Sequence, residues 1–267
     1  MIVYSLMSIT LFLISLLASL VGAISGIGGG VIIKPILDSI GIMNVSTISF
    51  LSGCTVLTMT ITSLIRNKKN KSGTNINYGV TFYLAIGSAF GGVIGKVLFD
   101  IIRNNLSSEN IVGLIQSIIL LIINIVIILY FKNKSNINTL KINNKSICIL
   151  MGISLGVISS FLGIGGGPLN IALLYYFLSM SAKESTINSL FIIFFSQVTS
   201  LVTTLLTGNI PEFDLIFLVL MCSGGVLGGI VGSKVGKKMD DCKTENFFML
   251  VLCMLTFINI FNIIKFI

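Results

Sequence analysis

The sequence predicts an all-α polytopic membrane protein built from two inverted-topology repeats, each a glycine-broken hairpin (re-entrant or half-helix) followed by three transmembrane helices. Composition, the spacing of apolar runs and a duplicated glycine motif carry that prediction. Of 267 residues, 54% are hydrophobic and only 10% are charged, with a mean hydropathy of +1.05. A soluble domain carries about 25% charged residues, so this chain lacks the polar surface to cover itself in water. That excludes a soluble enzyme. It also excludes a nucleic-acid-binding module, which would gather its basic residues on one folded face. Here the net charge of +8 comes from Lys and Arg in short loops between apolar runs. Histidine is absent, so there is no imidazole metal ligand, general base or proton relay. The five cysteines, Cys54, Cys148, Cys222, Cys242 and Cys253, show no CxxC spacing and read mostly as small apolar packing residues. The first apolar run has no positive leader and outlasts a signal peptide, so it reads as mature structure.

A span needs about 20 apolar residues to cross about 30 Å of hydrocarbon. Segments 45–65, 78–102, 111–131, 186–206, 213–235 and 247–264 meet this requirement. Regions 2–40 and 147–180 are also apolar, but each is broken near its middle by a glycine cluster. The clusters are Gly26-Ile27-Gly28-Gly29-Gly30 and Gly163-Ile164-Gly165-Gly166-Gly167, 137 positions apart. The same offset carries Gly91-Gly92-Val93-Ile94-Gly95 onto Gly228-Gly229-Ile230-Val231-Gly232. Two motifs matching at one offset predict an internal duplication, with membrane repeats at 1–134 and 138–267. Between the motifs the match is looser, and 45–66 falls on 184–205 only with a slip of a residue or two.

Basic residues in short loops set the orientation. Arg66, Lys68, Lys69 and Lys71 place loop 67–77 in the cytoplasm, and Lys132, Lys134, Lys141 and Lys145 place loop 132–146 there. Lys234, Lys237, Lys238 and Lys243 do the same for loop 237–246. Loop 208–214 has no Lys or Arg and is expected outside, although the repeat makes it the equivalent of 67–77. Equivalent loops on opposite sides mean inverted halves. Between two cytoplasmic loops the chain crosses an even number of times, and spans 186–206 and 213–235 already satisfy that. Region 147–180 therefore contributes no net crossing. Its arms, about 16 and 13 residues, are short for full spans and suit a re-entrant pair reaching the midplane or somewhat beyond. Two steeply tilted crossings have the same parity, and the arm 2–25 is long enough to span by itself. Both termini are expected outside.

Glycine clusters within hydrocarbon need an explanation, because unpaired backbone groups survive there only inside protein or against a wet cavity. Helices are expected to begin near Val31 and at Pro168, proline being favoured in a first helical turn. Each start offers free N–H groups and the positive end of a helix dipole, which suits an anion. Transporters with inverted repeats bring two such broken elements together around the substrate. Gly91, Gly92, Gly95, Gly228, Gly229 and Gly232 read instead as close-packing glycines. Three consecutive glycines make a poor helix interior, so for the two clusters a binding site is the better reading.

The candidate substrate contacts are Gly28, Gly29 and Gly30 in one half and Gly165, Gly166 and Gly167 in the other, with Ser25, Ser160 and Asn170 beside them. On the span after each hairpin lie Ser52 and Thr58 in the first half, and Asn188 and Gln197 in the second. Gln197 is the most specific of these, since a buried amide in lipid demands a partner. Lys34, four residues past Gly30, either supplies charge to an anion or is neutralised by Asp38 one turn later; at this point both readings stand. Its repeat equivalent is Ile171, which makes the site asymmetric. Lys96 and Arg103 read as snorkelling residues at the outer end of their span, and Lys183 and Glu184 as a solvated helix start.

The run Gly26-Ile-Gly-Gly-Gly-Val-Ile-Ile-Lys-Pro35, repeated as Gly163-Ile-Gly-Gly-Gly-Pro-Leu-Asn170, resembles the paired glycine motifs of the sulfite exporter TauE/SafE family. Length, the two-fold repeat and the Gly-Gly-x-x-Gly spans extend the resemblance over essentially the whole chain. The resemblance implies a plasma-membrane permease for sulfur-containing anions such as sulfite, sulfonates or sulfoacetate, with polar residues near both clusters contacting the anion. One departure is Ala172, where the first half has Pro35. The expected function is a secondary transporter working by alternating access; an anion channel of the same architecture is the alternative. No enzymatic chemistry, cofactor or metal site is expected. The sequence has no nucleotide-binding signature, so gradients or a partner supply the energy. The expected partners are a small anion and membrane lipid, with no nucleic acid. A homodimer is left open, as is the coupling ion, for which Asp38 and Glu184 are the acidic candidates near a cluster.

Overall fold

The computed structural model describes residues 2–69, 76–106 and 108–267. Among them the chain is all-helical. The first half comprises α1 (Ile2–Ser25), α2 (Gly30–Ile40), α3 (Val45–Lys69), α4 (Tyr78–Asn105) and α5 (Glu109–Asn133). After a short 3-10 turn at Lys134–Asn136 come α6 (Lys145–Leu162), α7 (Gly167–Leu178), α8 (Ala182–Leu206), α9 (Leu215–Lys238) and α10 (Asp241–Phe266). All but α2 and α7 are long and apolar enough to cross a membrane. Their outer faces carry residues such as Leu150, Leu206, Phe257 and Ile264, exposed in the bundle. Such a surface is stable only against hydrocarbon. The protein is therefore a multi-pass membrane protein.

Local sequence explains where the helices begin. Ser108, Asn144, Asp214 and Asp240 each accept a first-turn backbone N–H, satisfying one of the orphan donors at a helix start. The N–H of Lys243, followed by its side chain, holds the Asp240 carboxyl below the usual range. Ser181 and Glu184 form a reciprocal capping box at α8, so Glu184 does belong to a helix start. The two hairpin helices α2 and α7 begin one residue earlier than expected, at Gly30 and Gly167.

The repeat is in tighter register than the sequence suggested. Helix α3 starts at Val45 and α8 at Ala182, and both hold 25 residues. No slip is needed: the offset of 137 holds there as well. It also relates the ends of α1 and α6, the starts of α2 and α7, and the starts of α4 and α9. The tertiary contacts obey the same rule. Gly91 packs against the carbonyl of Ile153, and Gly228 against that of Leu16; Gly95 meets Val157, and Gly232 meets Leu20. Gly92 lies on the Ser196 carbonyl, and Gly229 on that of Met59. These glycine contacts of one half recur in the other with the roles exchanged, as a two-fold relation requires. The halves are interlocked: α1 lies along α9 and α6 along α4, so each long hairpin arm packs on the opposite repeat.

The packing reading of these glycines makes a direct prediction. A Cβ at Gly228 would sit 2.5 Å from the Leu16 carbonyl, and one at Gly91 would run into that of Ile153. Gly91→Ala and Gly228→Ala should each cost about 1–3 kcal/mol by overpacking, and by similar amounts. Thermal unfolding in detergent checks this, and a loss confined to one of the two would contradict the matched geometry.

Successive glycine contacts climb α1 and α9 together, and α4 and α6 together, so these pairs run parallel. The equivalent helices α3 and α8 run antiparallel, with Gly53 against Gln197 and Leu201 and with Val56 and Met59 against Leu190 and Ile193. One face of the bundle gathers the starts of α1, α3 and α9, where Tyr4 donates to Asp214 and Thr47 to the Glu212 carbonyl at 2.9 Å. The end of α10 joins them through Lys265, which donates to the Asp38 carbonyl at 2.9 Å. The other face joins Lys237 to the Arg66 carbonyl, the Lys183 N–H to Asp241 and Lys134 to Glu245. The three basic segments thus share one face, with residues 70–75 of loop 67–77 outside the described residues.

The arm α6 is slightly longer than the sequence suggested, while α1 covers the expected 2–25. Helix α6 has 18 residues and α1 has 24, so at 1.5 Å per residue they extend about 27 and about 36 Å. The tip of the first hairpin, Gly26, rests on Thr186, one turn into α8. The tip of the second, Gly163, rests on Ser49, one turn into α3. Each hairpin therefore runs most of the way through the bundle before turning. The short arms α2 and α7 return 11 and 12 residues.

Candidate functional site

Both hairpins turn at glycines in the left-handed region, where a Cβ meets backbone: Gly26 at φ +76° and Gly163 at +66°. Gly163 also ends α6, its N–H donating to the carbonyls of Ser159 and Ser160. Past this corner the two breaks meet at the centre of the bundle. A Cβ on Gly30 would lie 2.6 Å from the Ile164 carbonyl oxygen, and one on Gly167 would lie 2.9 Å from Val31. Val56 and Ile193, themselves a matched pair, pack against both Gly28 and Gly165. Only side-chain-free backbone allows this approach.

The two breaks are not identical. Gly28 and Gly165 share a positive φ (+82° and +84°), but Gly29 is helical at −62° while Gly166 stands at +126°. Gly166 is the N-cap of α7, with Pro168 in the first turn. The space left by its missing side chain is filled by the amide of Asn170, 2.6 Å from where a Cβ would be. Asn170 is 1% exposed, and neither its amide nitrogen nor its oxygen has a partner. Ser49, Ser52, Ser159, Ser160 and Ser196 are likewise buried with unpartnered hydroxyls. They lie on α3, α6 and α8 around the second break. A buried polar group without a partner costs about 1–3 kcal/mol, so this concentration marks a place where a polar guest or water completes the bonding.

Of the residues singled out from the sequence, Gly28, Gly29, Gly30, Gly165, Gly166, Gly167, Ser52, Ser160, Asn170 and Gln197 gather at or next to the paired breaks. Ser25 is there too, but its hydroxyl donates to Val21 and its carbonyl accepts from Thr186. Three others are engaged elsewhere. Thr58 turns toward α9, donating to the Thr55 and Cys222 carbonyls. Asn188 ties α8 to α4, accepting from Thr81 and the Asn77 N–H. Lys34 is 1% exposed and bonded to Asp38 at 3.0 Å, so of its two readings the neutralised one describes the observed pairing.

Two small cavities flank the breaks, and they share no lining residue. One, of about 30 Å³, is bounded by Ser46, Ser49, Lys96, Ser160, Gln197 and Thr204. The other, of about 40 Å³, is bounded by Ala23, Ser63, Asn67, Lys183, Thr186 and Ser233. Each has room for one or two waters. The two linings map onto each other at the 137 offset: Ser46 on Lys183, Ser49 on Thr186, Lys96 on Ser233, Ser160 on Ala23, Ser200 on Ser63 and Thr204 on Asn67. Between them, over the ten residues from Gly53 to Ser63, α3 presents Val56 and Met59, and α8 presents Ile193 opposite.

The cavities correct two sequence expectations. Lys96 does not snorkel; it is buried, pairs with Asp100 at 2.9 Å and lies 4.9 Å over the Phe99 ring. Lys183 is more than a solvated helix start, since its ammonium turns inward to the carbonyls of Lys237 and Met239 at 3.1 and 3.0 Å. Lining residues such as Ser46, Ser63, Ser200 and Thr204 drew no notice in the sequence. Aligning the chain on itself at 137 throughout, rather than at the glycine motifs alone, would have paired most of them.

Interlocked halves, helices broken at the centre of the bundle and a small cavity on either side define a polytopic membrane protein of the broken-helix type. The chain belongs to the sulfite exporter TauE/SafE family, a family of membrane transporters, whose model matches residues 11–260. It is similar to "Probable membrane transporter protein YunE" of Bacillus subtilis (strain 168), with 24% identity over 283 residues that cover 95% of this chain and 99% of that protein. No solved structure matches.

Proposed function

We propose that the protein is a secondary transporter that moves a small sulfur-containing anion, such as sulfite or an organosulfonate, across the plasma membrane by alternating access. The observation that carries this reading is the pair of cavities, whose linings correspond at most positions and which lie on either side of Val56, Met59, Ile193 and the two breaks. A channel of the same architecture needs one continuous path. Alternating access instead opens one side at a time, with each half rocking about the central breaks. Two inverted halves, 1–134 and 138–267, accord with the antiparallel course of α3 and α8. The face with the basic segments is then cytoplasmic, and both termini lie outside. At the centre, the α7 start with Asn170, Ser160 and Gln197 offers N–H and hydroxyl donors to an oxyanion while adding no fixed positive charge. That suits a ligand that must also leave.

Thermal unfolding of the purified protein in detergent against sulfite, sulfate, sulfoacetate, taurine, chloride and small carboxylates tests the reading. A ligand present at about 100 times its Kd stabilises by about 2.7 kcal/mol. The expected result is a selective rise with one sulfur oxyanion, lost in Asn170→Leu and Gln197→Leu. A rise only with a cation or neutral solute would sink it.

A further inference from the structure

The two cavities share a frame but not a charge. At the matched positions 46/183 and 96/233 the first cavity holds Ser46 and Lys96 and the second Lys183 and Ser233; Lys237 also lines the second, while its counterpart Asp100 stands behind the first as the partner of Lys96. In the first, the Lys96 ammonium is consumed by Asp100 at 2.9 Å, which also accepts from Asn209. Glu109 stands behind Ser46, accepting from its hydroxyl at 2.8 Å. In the second, the position equivalent to Asp100 is a lysine. Lys183 donates to the Lys237 and Met239 carbonyls, and Lys237 to the Arg66 carbonyl at 2.9 Å. Among the described residues neither lysine forms an ion pair, and Asp241 at this corner accepts from the Lys183 backbone N–H instead. Lys234 and Lys238, on the same helix, stay exposed. Orientation of the chain in the membrane asks only for positive residues on this face. It does not ask for lysines that line a cavity and spend their ammonium groups on backbone carbonyls, as Lys183 and Lys237 do and their exposed neighbours do not.

We infer that the Lys183–Lys237 cavity is the higher-affinity entry for the transported anion and the Lys96 cavity its lower-affinity counterpart on the opposite side. A cleft lined by one sign of charge raises the local concentration of its counter-ion by about tenfold or more. A neutralised cleft does not. Two faces that the repeat would make equivalent thus differ in half-saturation, with the tighter one on the side of the basic loops. Since the same ligand must pass both cavities, the difference sets which side saturates first and leaves the driving gradient to decide net direction. This inference rests on the anion-transport reading above and adds the sidedness of binding.

The test measures sulfite and sulfoacetate flux in inside-out and right-side-out vesicles. The half-saturation concentration should be about tenfold lower when substrate is offered to the Lys183 face. Lys183→Gln with Lys237→Gln should remove that advantage, leaving the opposite face within about twofold. Asp100→Asn, which frees Lys96, should lower the half-saturation concentration severalfold at the opposite face alone. The Asp100 variant keeps the test sound if the double lysine variant fails to fold. Equal half-saturation at both faces in the unaltered protein overturns the inference while leaving anion transport standing. Absence of saturable flux with either probe removes the anion reading itself, and this inference with it.

Discussion

Gly30→Ala should abolish transport and destabilise the bundle by overpacking at its centre. Gly30 is already in α2 with a helical N-cap before it, so alanine would suit its backbone. The conflict is external: the new Cβ would lie 2.6 Å from the carbonyl oxygen of Ile164 and 2.8 Å from Val56. A side chain can rotate away from such a contact, whereas the backbone of the opposing break cannot. Overpacking costs about 1–3 kcal/mol, sometimes more, and relief here requires pushing the two hairpins apart. The variant should still insert in the membrane, because span hydrophobicity is unchanged. Gly208→Ala is the control, with a positive φ of +68° but open space around it; it should lose about 1–2 kcal/mol from backbone strain and keep transport. Thermal unfolding and flux in proteoliposomes read both. Wild-type flux in Gly30→Ala would mean that the breaks need not meet for transport.

Lys34→Met should destabilise the protein by about 3–5 kcal/mol, the usual cost of stranding one member of a buried ion pair. The pair is almost fully enclosed, with side chains 1% and 4% exposed, and Asp38 already has one carboxylate oxygen without a partner. Lys265 of α10 donates only to the backbone carbonyls of Asp38 and Ser39, and Asn262 to that of Pro35 at 2.8 Å. These bonds hold the end of α2 but do not neutralise its carboxylate. Lys34→Met combined with Asp38→Leu should recover most of the lost stability, because an apolar pair of similar volume removes both the attraction and the desolvation cost. The double variant also separates the two roles of Lys34. Recovered stability with recovered flux means that Lys34 serves Asp38; recovered stability without flux means that it serves the substrate.

The repeat was legible because glycine cannot be exchanged cheaply where backbones touch, so the motifs at Gly91 and Gly228 survived in matching form while the apolar residues around them drifted. The same drift hid the register of α3 against α8. In hydrocarbon one aliphatic side chain replaces another at little cost, and Val56 against Ile193 carries no signature. Candidate residues fared according to how local their partners were. Asn170 and Ser160 sit within a few positions of a break and were found from spacing. Asn188 looked equally suitable, yet its amide is used by Thr81 and Asn77 from another helix. Lys96 was misjudged although its partner Asp100 lies one turn later on α4; its burial at a cavity, by contrast, depends on how α4 faces α8.

The sequence by itself determined that this chain lives in a membrane and that its two glycine clusters interrupt helices. Composition, hydrophobic run length and the intolerance of three glycines in a helix are local properties that need no partner. Only the tertiary structure decided that each hairpin packs on the opposite repeat, that the two breaks touch, and that matched cavities of unequal charge lie on either side. Those facts depend on pairs of residues about 60 or more positions apart. Their physical cause is close backbone approach between helices, a contact made by atoms that every residue possesses and that side-chain identity therefore does not spell out.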